Sequence, residues 1–223
     1  MPNSLNSKRA RTTGTTARSM EKDSETSTKD AILDAAEEEF AEKGIAGARV
    51  EQIALRAGVA KALIYYYFEG KLQLLQAIVD RTIEENVSLK RSAIKAGRPD
   101  QDPFDVLLAA GMDFMKQKKN VLRIFLMELL KKEDTDIPML QVLDRMFSGV
   151  LASGTFMPGR TLDEMRMPAF FFGSLPFCLF FLMEDKWAEY YKTSKTTLEK
   201  QFLESSKTAG SYLRQLMGDG SKK

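Results

Sequence analysis

The chain has 223 residues, 43% of them hydrophobic, with 33 basic and 31 acidic side chains and a formal net charge of +2. That is enough apolar material for a real core in one large or two small domains, and too little net charge to argue a nucleic-acid partner by itself. Histidine is absent and Cys178 is the single cysteine, which removes the commonest general base, a favoured metal ligand and any internal disulfide.

The first twenty residues carry four cations (Lys8, Arg9, Arg11, Arg18), no acid, and seven Ser or Thr. So few apolar residues cannot offset the entropy of ordering, so residues 1–26 read as a flexible tail of basic then acidic character. It lacks the apolar core of a secretory signal. Two readings stand: a basic arm that reaches along a groove or adds phosphate attraction, and an inert leader with translation starting at Met20.

Ser27, with Asp30 three residues on, resembles a capping box that opens a first helix ending at Gly44. The acidic run Glu37-Glu38-Glu39 within it reads as a solvated helical face. Val50, Ile53, Ala54 and Ala57 then recur at helical spacing and stop at Gly58, which can take φ > 0 without a Cβ clash. A further pattern runs from Val59 through Leu63, Ile64 and Phe68. Two short helices about a tight turn fit an ordinary helical corner and also a helix-turn-helix, whose second helix can enter a DNA major groove.

The side chains favour the second. Lys61 offers an exposed donor at the start of the third helix, beside the small Ala62, and these two are the candidates for reading bases. Tyr66, Tyr67 and Lys71 can supply a phosphate rim. Neighbours on a helix are turned about 100° apart, so Tyr65, Tyr66 and Tyr67 cannot all face one way, and one is expected to pack inward.

With these residues in view, the stretch from about Thr28 to Ile78 resembles the DNA-binding domain of the tetracycline-repressor (TetR) family. The matching features are Ile32, Ala36, Phe40 and Gly44, then Ile53-Ala54, Ala57-Gly58-Val59, Tyr65, Tyr67-Phe68 and Lys71, followed by leucines. The resemblance implies an all-α homodimer: a three-helix DNA-binding head over residues 27–72 and a helical ligand-binding and dimerisation body over residues 73–217. It places Lys61, Ala62 and Tyr65 where the family contacts bases, and Tyr66, Tyr67 and Lys71 where it holds phosphates. It also implies a double-stranded operator, a small-molecule effector and a cytoplasmic protein. Three positions depart from the family pattern. Arg49 and Ala60 stand where Ser or Thr commonly opens the second and third helices, and Leu63 stands where Thr often meets a phosphate. A lost hydroxyl cap typically costs about 1 kcal/mol. Arg49 is either a substitute phosphate contact or a solvated arginine.

Beyond the head, Lys71 to Ala96 forms one long pattern with Leu72, Leu75, Val79, Ile83 and Val87 on one face, stopped by Gly97-Arg98-Pro99. Asp102-Pro103 is a cap and N1 proline for a helix with Phe104, Leu107, Leu108, Gly111 and Met115 inward. Asn120 opens another with Leu122, Phe125, Leu126 and Leu129, and Asp136 a third through Met146 to Val150. Thr161 to Glu164 is a second capping box.

Met167 to Met183 follows, 17 residues without a charge. A membrane span needs about 20, and two prolines and a glycine interrupt this one. It is expected to be a helix buried on several sides, and the resemblance implies that it lies between a ligand cavity and a partner subunit. The last helix, from about Lys195 to Met217, repeats Leu198, Phe202, Ser205, Ala209, Tyr212 and Leu216, a stripe suited to shallow-angle packing, either in an isologous four-helix interface or against its own body. Residues 218–223 read as disordered.

Twelve methionines and fourteen phenylalanines favour a hydrophobic or aromatic effector. The candidates for lining its site are Met112, Phe125, Met146, Phe171 and Phe177, with Arg123 or Glu128 as a polar anchor. No Gly-rich phosphate loop, nucleophile elbow or paired-acid motif is present, so no catalytic residue, metal or cofactor is expected. The competing reading is an apolar-ligand protein that has lost specific DNA binding, for which Ala60 and Leu63 give a foothold.

Overall fold

The computed structural model describes residues 9–98, 100–130, 144 and 161–217, and every regular element among them is helical. In chain order these are α1 (Arg9–Gly47), α2 (Val50–Ala57), α3 (Lys61–Tyr67), α4 (Lys71–Ala96), α5 (Pro103–Gln117), α6 (Lys119–Leu129), α7 (Leu162–Pro168), a π-helical turn (Ala169–Ser174), α8 (Leu175–Tyr191) and α9 (Lys195–Met217). The chain divides into two compact units, Met1–Ile78 and Val79–Lys223, with the division inside α4 rather than at the 72/73 boundary read from the sequence. The expected helix from Asp136 to Val150, and with it Met146, lies outside the described residues apart from Asp144.

In the first unit, α1 starts at Arg9 and not at Ser27. The segment read as a flexible tail therefore continues the helix from its beginning. Once a helix is nucleated each added residue brings its own hydrogen bond, and residues 9–26 hold no proline to stop it. The expected end at Gly44 is a kink, with φ 67° and ψ 165° there and a last turn resuming to Gly47. Ile32, Ala36 and Phe40 are fully buried, together with Ile53 of α2, Ile64 of α3, and Leu74 and Ile78 of α4.

The acidic run of α1 is not wholly solvated. Glu39 is only 3% exposed, because it lies three residues after Ala36 and so shares its face. Its burial is compensated. Arg56 of α2 sits 3.3 Å from Glu39 while pairing Glu38 at 3.2 Å and Glu42 at 2.6 Å, and the Arg49 N–H donates to Glu39 at 3.4 Å. These charges raise the Arg56 guanidinium pKa and lower that of Glu42, the hydrogen bond between the two being the largest cause. One arginine thus ties α2 across α1.

Helix α4, which runs through both units, has the expected bounds but turns a different stripe inward. Leu72 and Val87 are exposed, and the buried positions are Leu74, Leu75, Ile78, Val79, Thr82 and Asn86. The sequence stripe stepped through apolar residues alone, whereas the buried face continues through two polar ones. Met112 and Phe114 of α5 and Val121, Leu122, Ile124 and Phe125 of α6 are buried. The Thr161 capping box forms as read: the Thr161 hydroxyl accepts from the Glu164 backbone N–H, and the Glu164 carboxylate accepts from the Thr161 backbone N–H.

The apolar run differs from expectation in its burial. Pro176 has no N–H to continue an α-helical ladder, and the chain passes through a π-turn between Pro168 and Pro176. Cys178 and Phe181 are buried, yet Met167, Phe171, Phe172, Leu179, Met183 and Trp187 are exposed. The run is therefore sheltered on one side within this chain and bare on the other. By length and composition the stretch Asp163–Tyr191 could cross a membrane. However, it also carries Glu184, 2% exposed, whose Oε1 accepts from Lys119 Nζ at 2.5 Å. Helix α9 holds Phe202 flat against Phe180, centroids 4.1 Å apart, with Phe177 edge-on at 5.1 Å. Of its stripe, Ser205, Ala209 and Tyr212 are exposed.

Candidate nucleic-acid interface

Helices α2 and α3 are joined by three residues, Gly58 to Ala60, and the turn is set by backbone bonding. Gly58 adopts φ 66°, ψ 29°; its N–H donates to Leu55 O at 3.3 Å and the Val59 N–H to Ala54 O at 3.0 Å. That pair of bonds is the Schellman pattern, in which a left-handed residue satisfies the last carbonyls of a helix. A Cβ on Gly58 would meet nothing within 4 Å, so glycine is required for its positive φ and not for space.

Helix α3 then sorts its side chains. Ile64 and the following Phe68 are buried, Leu63 and Tyr67 are half-buried, and Lys61, Ala62, Tyr65 and Tyr66 are exposed. The positions i, i+1, i+4 and i+5 form one outward face, so the two candidate base readers, Tyr65 and Tyr66 share a surface. The expectation that one tyrosine packs inward is met only halfway, by Tyr67, whose ring lies 4.9 Å under the Lys29 ammonium and edge-on to Tyr66. Neither α2 nor α3 has a side-chain cap at Arg49 or Ala60, as the missing hydroxyls implied.

Two basic residues are engaged in ways the sequence did not reveal. Lys61 Nζ lies 2.5 Å from Glu51 Oε1 of α2 and 5.6 Å from the Tyr65 ring centre. The hydrogen bond to Glu51 raises the Lys61 pKa and lowers that of Glu51, so both are charged at neutral pH. Lys71 Nζ donates to the carbonyls of Ala46 at 3.0 Å and Ala48 at 3.1 Å. Two of its three donors thus hold the α1–α2 corner, leaving one for a phosphate. The Arg49 side chain is exposed.

The residues named for an effector site differ in burial. Met112 and Phe125 are buried, Phe171 is 53% exposed and Phe177 is half-buried against Phe202. Phe125 and Phe171 are linked only through Phe170, at 6.4 and 4.8 Å between ring centres. Arg123 is exposed and Glu128 is half-buried. A groove of about 390 Å³ does exist between α8 and α9, lined among others by Leu179, Phe180, Met183, Trp187 and Phe202 and by none of the four described candidates. Burial pushes the Cys178 thiol up to about 11, which keeps it protonated and unreactive. No cluster of three potential metal ligands occurs among the described residues.

Residues 32–78 match the family model for bacterial regulatory proteins of the tetR family. The chain is 31% identical over 93 residues to the HTH-type transcriptional activator FasR of Mycolicibacterium smegmatis, covering 42% of each chain. It is 28% identical over 130 residues to the HTH-type transcriptional repressor BepR of Brucella suis, covering 56% of this chain and 61% of that one. Both matches span less than two thirds of the relative's length. The fold is similar to that of the transcriptional regulator FadR of Bacillus subtilis in complex with stearoyl-CoA, with TM-score 0.55 at 22% identity over 79% of this chain and 96% of that one.

Proposed function

From the premise that the chain belongs, through residues 32–78, to the bacterial regulatory proteins of the tetR family, we propose that it is a ligand-released repressor that grips a palindromic operator as a homodimer in the cytoplasm. The observation that carries this reading is the outward face of α3, where Lys61, Ala62, Tyr65 and Tyr66 are exposed together behind a glycine-set turn. Lys61 and Ala62 read base edges, Tyr65 supports them, and Tyr66, Tyr67 and Lys71 hold phosphates, with Arg49 at the start of α2 as a further phosphate contact.

A palindromic site requires two heads about one DNA turn apart. The bare apolar faces of α8 and α9 suit a two-fold interface, since exposed patches of that kind mark interaction surfaces. The effector is hydrophobic or aromatic. It acts by binding one conformer of the dimer better than another, and only that difference in affinity can move the heads off operator spacing.

A gel shift at low ionic strength, using the DNA that flanks the gene, tests the proposal together with size-exclusion chromatography. A dimer that retards that fragment and ignores a scrambled one is expected. A monomer indifferent to both sinks it. The second reading, an apolar-ligand binder with a vestigial head, draws on the uncapped α3 and on Lys61 already paired with Glu51. It predicts ligand uptake with no retardation at any salt concentration.

A further inference from the structure

The inward face of α4 carries two polar side chains, Thr82 and Asn86. Asn86 is 4% exposed and its Nδ2 has no hydrogen-bond partner. A buried amide donor left unpaired is costly, and native structures rarely keep one without a use. Lys90 follows one turn on, in register with Asn86, and is half-buried. Its neighbours on the helix surface are Asn86, Val87, Ala93 and Ile94, none acidic. The carboxylate of Glu85 is already taken by Lys118 at 2.5 Å. Loss of hydration lowers the Lys90 pKa, with no opposing charge among the described residues to restore it. Two donors thus lie one turn apart on one face of α4, one buried and one half-buried, with no acceptor for either among the described residues.

We infer that Asn86 and Lys90 are the anchor for the carboxylate of an apolar acid, whose hydrocarbon tail enters the Met- and Phe-rich body. A carboxylate accepts from both donors at once and neutralises the ammonium, which a neutral alcohol or a cationic amphiphile cannot do. The inference rests on the reading of the body as an effector-binding unit and specifies the head group that the effector carries.

Calorimetric titration of the full chain with decanoate, decan-1-ol and decyltrimethylammonium, each below its micelle concentration, tests it. Decanoate should bind at least tenfold more tightly than the other two. Asn86→Leu and Lys90→Met should each weaken decanoate at least tenfold and change decan-1-ol less than twofold. Ligand-free Asn86→Leu should melt no lower than wild type, because it removes an unpaired buried donor. Decan-1-ol binding as tightly as decanoate, or either variant binding decanoate like wild type, overturns the anchor and leaves an apolar effector standing. A ligand-free Asn86→Leu that melts several degrees lower also overturns it, by making Asn86 a structural residue. Failure of all three probes removes the anchor and the apolar effector together.

Discussion

On the proposed function, Lys61 would have to exchange partners to reach a base. Off DNA its ammonium is satisfied by Glu51 at 2.5 Å, and both groups are exposed, so the pair itself is worth little. At a guanine, Lys61 would give up that carboxylate for ring acceptors, while the freed Glu51 stands near a phosphodiester it repels. On the proposed function Glu51 would therefore oppose binding to DNA of any sequence, by repelling the phosphates nearest it. Glu51→Gln should tighten binding to operator and scrambled DNA alike by about threefold to tenfold, on the order of 1 kcal/mol. Lys61→Ala should weaken the operator alone by about 1–3 kcal/mol. Filter-binding titrations of the two single variants and the double variant separate the effects. If Glu51→Gln gives its full gain even without Lys61, the acid acts as bulk charge and not through its partner.

At the scale of the element, the two short helices of the head hold together through packing and a turn, since neither has a side-chain cap. An isolated helix of seven or eight residues is unstable in water; α2 and α3 persist because Ile53 and Ile64 are buried and Arg56 ties α2 to α1. Ala60→Ser should raise the melting temperature of the intact chain through about 1 kcal/mol of added stability. Gly58→Ala, forced to hold φ 66° with a Cβ, should cost about 1–2 kcal/mol. Denaturant titrations that found the serine variant no more stable would mean that water already satisfies those N–H groups. The head was legible in the sequence because its signals are local: glycine at a left-handed turn, apolar spacing, and a cation on an outward face. Glu39, Glu51 and Lys71 were not, because their partners lie ten or more residues away and only the assembled corner brings them together. A sequence stripe of apolar residues likewise passed over Asn86, which continues the buried face of α4 at the expected register but with a polar side chain.

Across the molecule as a whole, large apolar side chains are left bare on the surface of α8. Leu179, Met183 and Trp187 recur every four residues and are about half exposed, and with Pro176, Phe180 and Phe202 they line the groove of about 390 Å³. The sequence reading expected this run to be buried on several sides, and one chain buries only part of it. Lipid is a poor cover: Glu184 and Asp185 sit within α8, bound to Lys119 and Lys195 of the neighbouring helices, and charges at membrane depth are expensive. A second copy offers an identical apolar stripe, and two stripes facing across a two-fold axis would remove both from water. Trp187→Glu would place two like charges at that seam while leaving the single chain's buried residues untouched. By analytical ultracentrifugation it should sediment as a folded monomer at concentrations where wild type is dimeric, with unchanged helical circular dichroism. Operator binding should fall with it, because a palindrome read by one head loses half its contacts. A Trp187→Glu protein that stays dimeric and keeps its operator would move the subunit interface to another face of the body.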